Sequence, residues 1–135
     1  MAEAYLKSLR LKDVKVISSG TIADISRQKN EPNIPPLTAK LGPYGVSDYI
    51  KRHSDQLTQS RVDESDINVC MNELVAEESK RIVVMPSDTI VWNVMDSGEG
   101  NRVIKDGDDV WMYTDEIYNE IKQNIDSLIR EKALN

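Results

Sequence analysis

The chain has 135 residues, 39% of them hydrophobic and 30% charged, and carries a net charge of -6. That length suits one compact domain, and no apolar run approaches the roughly 20 residues of a membrane-spanning helix. The acidic balance weighs against nucleic acid and anionic membrane as partners, and a single cysteine, Cys70, excludes a disulfide framework or a cysteine-cluster metal site.

Met1-Ala2-Glu3-Ala4-Tyr5 has an acid where a secretory signal needs a basic, then apolar, start, so the expected compartment is the cytoplasm. Residues 2–10 read as a short helix, with Ala2, Leu6 and Leu9 on one face and Lys7 and Arg10 towards its end. Val14 to Ser18 is β-branched and partly alternating, which predicts a strand ending at Ser19-Gly20. Pro32, Pro35 and Pro36 mark residues 21–36 as a long loop. Leu37 to His53 reads as a helix interrupted by Gly42-Pro43 and Gly45. Asp66 to Met71 is a second strand, and Asn72 can cap a helix over 73–80 with Glu73, Glu77 and Glu78 facing water. Ile82–Met85 and Thr89–Val94 are two further β-branched runs split by Pro86, of which at most one need be a central strand. Ile117, Ile121, Ile125, Leu128 and Ile129 then draw one broad apolar stripe, the strongest periodic signal in the chain. Thr114 is the expected N-cap of that last helix, with Asp115 and Glu116 in its first turn. The alternation predicts a single α/β domain over 1–135 with a mostly parallel sheet.

Several segments resemble a known family in order and spacing. Asp55-Gln56-Leu57-Thr58, followed by Asp66-Ile67-Asn68-Val69-Cys70-Met71-Asn72, is similar to the middle of the low-molecular-weight protein tyrosine phosphatases. There an arginine–glutamine–aliphatic–threonine stretch leads into an apolar strand ending in Met-Asp. Val16-Ile17-Ser18-Ser19-Gly20-Thr21 resembles the family's S-A-G-T segment, and Ala2-Glu3-Ala4 resembles the start of its first helix. The resemblance implies a three-layer α/β sandwich and hydrolysis of a phosphomonoester through a cysteinyl-phosphate, with neither metal nor cofactor. In that family a phosphate loop, a cysteine followed after five residues by an arginine, runs directly into Ser-Pro-Met-Ala-Glu-Ala. This chain starts at Met-Ala-Glu-Ala, as if shortened past the central first strand and the loop. The expectation is a chain without activity by itself.

Each candidate residue has a functional and a plain reading. Asp96, after Val94-Met95, matches the aspartate that protonates the leaving oxygen in the family, where Asp-Pro stands in place of Asp96-Ser97; the plain reading is an Asp in a turn. Ser18 matches the serine that hydrogen-bonds the phosphate loop, or is a strand-end serine. His53 lies about one residue from a supporting histidine of the family, and a surface histidine is favoured. Cys70 has Ala76, not arginine, six positions on, and sits in an apolar strand, which favours a buried inert thiol. Tyr113 and Tyr118 do not match the family's tandem tyrosines and read as packing residues, while Asp106, Asp108 and Asp109 lack the spacing of a calcium loop and read as solvated. The thioredoxin-coupled arsenate reductase branch needs further cysteines and is disfavoured.

Two function classes follow. One is a phosphatase acting on a phosphorylated protein or small phosphomonoester; the other is a non-catalytic regulatory or protein-interaction module on the same fold. With the family's central strand missing, the gap is expected to close, either by residues 14–18 pairing directly with 66–71 or by a second copy in a homodimer.

Overall fold

The computed structural model describes residues 1–24, 36–51 and 53–135. In chain order the helices are α1 (Ala2–Ser8), α2 (Pro36–Leu41), α3 (Gln59–Asp63), α4 (Glu73–Ile82) and α5 (Thr114–Glu131), and the strands are β1 (Val69–Cys70) and β2 (Ile90–Val91). The described residues of Met1–Ile17, Asn33–Arg52 and Met95–Asn135 form one compact unit, and those of Ser18–Pro32 and His53–Val94 form another. The first is helical; the second carries the strands.

The apolar stripe of α5 organises the helical unit. Ile117, Tyr118, Ile121, Ile125 and Leu128 are buried, at the helical spacing read from the sequence. Thr114 is the first helical residue rather than the cap, and Tyr113 precedes it without a side-chain cap bond. Tyr118 stacks on Tyr44 with centroids 4.0 Å apart and meets Tyr5 of α1 edge-on at 5.9 Å, geometries that aromatic quadrupoles favour. The Tyr5 hydroxyl donates to Asp126 Oδ1 at 2.6 Å, fastening α1 to α5. Asp126 also accepts from Lys122 at 2.7 Å, and these bonds, Lys122 first, hold its carboxyl below its ordinary value. Glu3, though buried, is paired with Lys7 at 2.5 Å and Lys51 at 3.0 Å, so its charge is matched.

The interrupted helix expected from Leu37 to His53 is α2 followed by 3₁₀ turns at Gly42–Tyr44 and Ser47–Tyr49, the break falling at Gly42-Pro43 and Gly45. Pro43 supplies no N–H to an α-helical ladder. Gly45 then takes φ +70°, the left-handed conformation that ends the first turn, its N–H reaching Gly42 O at 3.1 Å. The loop expected over 21–36 lies mostly outside the described residues.

In the strand-bearing unit, β1, α4 and β2 make a parallel β–α–β element with Val69 opposite Ile90 and Cys70 opposite Val91. Ile90 N–H donates to Asn68 O and Trp92 N–H to Cys70 O, each at 2.9 Å. Asn72 caps α4 as its position foretold, Oδ1 accepting from Val75 N–H at 3.0 Å, and Glu73, Glu77 and Glu78 are exposed. Ala76 and Ser79 of α4, with Val62, Cys70, Val83 and Val94, form the buried centre of this unit. The chain is therefore α/β, with a small parallel sheet.

One expected strand is not formed. Residues 14–18 form no strand and pair with neither 66–71 nor any other described segment. Their burial still alternates, Val14 and Val16 half-buried and Lys15 and Ile17 exposed, but a β-branched run becomes a strand only where a neighbouring backbone takes up its N–H and C=O groups. Of the two runs split by Pro86, one forms a strand, at Ile90–Val91, as the expectation of at most one allows, while α4 runs through Ile82. Beyond Gly20 N–H to Asp55 O at 2.8 Å and Leu57 N–H to Gly20 O at 3.0 Å, no bridge outside β1–β2 is formed among the described residues.

Candidate functional site

Asp96 opens a closed loop in the helical unit. Its Oδ1 accepts from Ser97 N–H at 2.8 Å, its carbonyl accepts from Glu99 N–H at 3.0 Å, and its own N–H reaches Glu99 Oε2 at 3.3 Å. Gly98, at φ +84°, turns its N–H onto Arg102 O at 2.7 Å, and Arg102 N–H returns to Glu99 O at 2.9 Å. A side chain at Gly98 would be strained by that φ. The result is a short ring of backbone bonds with the Asp96 side chain exposed beside it.

Arg102 is the ring's fastening and carries no sequence signal of that role. Its side chain is 6% exposed. Nη1 donates to Met95 O at 2.6 Å, Nη2 donates to Glu120 of α5, and Nε lies 4.0 Å from Glu116 Oε2. Nε is buried and finds no hydrogen-bond acceptor among the described residues.

The other end of the site is the start of α1. Burial lowers the pKa of the Met1 amino group, while the negative charges of Glu3 and Asp96 raise it and Lys51 lowers it. Asp96 is thus close enough to the Met1 end of α1 for its charge to be felt there.

Ser18 and His53 belong to the strand-bearing unit, not to the unit that holds Asp96. Ser18 is exposed, and its carbonyl accepts from Arg61 Nη2 at 3.0 Å while Ser19 Oγ accepts from Arg61 Nε at 2.8 Å. His53 is half-buried at a bend before Asp55. Cys70 is 3% exposed, and desolvation pushes its thiol up, away from the thiolate form that a nucleophile needs. Asp106, Asp108 and Asp109 are exposed, and the last two are hydrogen-bonded. Asp108 accepts from Lys105 N–H at 2.9 Å, and Asp109 accepts from Trp111 N–H at 2.9 Å and Lys40 at 3.2 Å. Among the described residues no His, Cys, Asp or Glu group of three or more is placed to hold a metal ion, and no helix is long and apolar enough to cross a membrane.

The segment that carried the resemblance, Asp55 to Asn72, is a set of braces. Gln56 accepts from Asp24 N–H at 3.1 Å and donates to Thr21 O at 2.9 Å. Gln59 accepts from Val84 N–H at 2.8 Å and donates to Val84 O at 3.0 Å. Asn72 does the same between Val75 N–H and Val94 O, both at 3.0 Å. Thr58 caps α3 through Arg61 N–H at 3.3 Å, a short helix that the sequence reading missed although Thr58 is a good capping residue. No family model, curated protein or solved structure matches the chain.

Proposed function

We propose that the chain carries the scaffold of a low-molecular-weight protein tyrosine phosphatase, a cytoplasmic three-layer sandwich, and that these 135 residues by themselves turn over no phosphomonoester. What supports this reading is the resemblance of the Val16–Thr21 and Asp55–Asn72 segments, together with Asp96 lying in the same compact unit as α1. In the resembled family the phosphate loop ends at the start of the first helix, and the matching acid gives its proton to the leaving oxygen of a phosphorylated protein or small phosphomonoester. Such a reaction needs a thiolate to attack phosphorus as the P–O bond breaks, with Asp96 giving its proton to the departing oxygen. Water would then cleave the cysteinyl-phosphate and restore the thiolate. Cys70 cannot supply that nucleophile: it is buried, its thiol is pushed up, and Ala76 stands where the arginine of a phosphate loop would be.

The test is turnover of para-nitrophenyl phosphate by the purified chain, with none expected above background. Activity abolished by Cys70→Ser would overturn the inactivity. Placing a family strand and phosphate loop before Met1 should create activity that falls by about 10²–10⁴-fold in Asp96→Asn. Unchanged turnover there would remove Asp96 from the acid's role.

A further inference from the structure

We propose that Arg102 is the positioning residue of Asp96, holding the 95–102 loop so that the carboxylate keeps one orientation. The inference rests on the reading of Asp96 as an acid, and its geometry stands apart from that reading. Three anchors converge on one guanidinium: the carbonyl of Met95, which is bonded to the nitrogen of Asp96, and the carboxylates of Glu116 and Glu120 on α5. The backbone of Arg102 closes the same ring from below, accepting from Gly98 and donating to Glu99. The residue that fixes the loop's start through its side chain therefore also fixes its end through its main chain.

A guanidinium suits this task because its donors are held in a rigid plane, so the direction of Met95 O is set once α5 is set. A lysine at this position would reach one acceptor at a time. Burial sharpens the effect, since water cannot replace the bonds that the side chain makes. The remaining donor, Nε, is buried without a hydrogen bond and faces Glu116 at 4.0 Å. A buried donor in that state is costly, and the charge of Glu116 offsets part of that cost. Asp96 itself is tied to the ring by Ser97 N–H, which makes that amide a reporter of where the carboxylate points.

The experiment is nuclear magnetic resonance on the intact chain, comparing the unaltered protein with Arg102→Lys and Glu120→Gln. In the unaltered protein the Ser97 amide should show a through-hydrogen-bond coupling to the Asp96 carboxyl carbon, because its acceptor is Asp96 Oδ1. In Arg102→Lys that coupling should fall at least about twofold, and the Gly98 amide should exchange with solvent about tenfold faster. The amides of Ile125 in α5 and Ala76 in α4 should keep their protection in the same sample. Glu120→Gln, which keeps an acceptor but loses its charge, should fall between the two. An unchanged Ser97 coupling with unchanged Gly98 exchange would overturn the proposal and leave Asp96 as acid untouched. Turnover unchanged by Asp96→Asn in the chain extended with a family strand and phosphate loop would overturn the acid's role and leave this result standing.

Discussion

The two units hold their loops by different chemistry. In the strand-bearing unit the braces are neutral amides, Gln56, Gln59 and Asn72, each of which accepts from a backbone N–H and donates to a backbone carbonyl. In the helical unit the loop after Asp96 is held by a buried cation, Arg102, leaning on the exposed to half-exposed carboxylates of Glu116 and Glu120. An amide carries both a donor and acceptors, so it can match a loop's own pair of groups without residue. A guanidinium only donates, so it depends on acceptors brought from elsewhere, and Nε has no hydrogen-bond acceptor among the described residues. The neutral braces should be indifferent to salt; the charged one is not.

The sharpest way to break this contrast is Arg102→Met. Removing the cation leaves Met95 O and Glu120 without their partner, and a broken buried pair costs about 3–5 kcal/mol. Because Glu120 is 42% exposed and can regain water, the expected loss in a urea titration is about 3 kcal/mol. A loss under about 1 kcal/mol would mean that the clamp contributes no more than a surface pair.

Gln56→Glu tests the other side. The new carboxylate loses the donor to Thr21 O and turns negative charge on that carbonyl, at an expected cost of about 1–2 kcal/mol at pH 7. Facing an acceptor raises the introduced carboxyl's pKa in the folded state. The raised value means that stability returns as pH falls through it and is fully regained below about 4.3, the unfolded value. A pH-independent loss would refute the donor's role.

The smallest effect belongs to Tyr5→Phe, which removes the bond to Asp126 and should cost about 1 kcal/mol. Asp126 sits below its ordinary value of 3.8, chiefly through Lys122 and then Tyr5. Its contribution is therefore present above pH 3.8 and lost as pH falls through the lower folded value. In Tyr5→Phe the acid limb of the stability curve should become shallower, and an identical limb would exclude the coupling.

What was legible in the sequence was local. The stripe from Ile117 to Leu128 and the cap at Asn72 follow from periodicity and side-chain chemistry, which act within a few residues. The β–α–β order around Cys70 was visible for the same reason. Residues 14–18 have the composition of a strand yet lack a ladder, because a ladder is a property of two segments and only one is written there. The break of the 37–53 helix was half visible, in Gly42-Pro43 and Gly45. Arg102 was invisible: its partners lie 7 residues before and 14 and 18 residues after it, distances at which no repeat links them. Asp96 was found through resemblance, and its reach to Met1 became apparent only in three dimensions.

The chain's two tryptophans divide evenly between the units. Trp92, whose N–H continues the β1–β2 ladder, belongs to the strand-bearing unit, and Trp111, beside Asp109, belongs to the helical one. Each unit thus carries its own intrinsic fluorophore. With excitation selective for tryptophan, emission in Trp92→Phe would report the helical unit alone and in Trp111→Phe the strand-bearing unit alone, so two optical melts would time the loss of each without any added label.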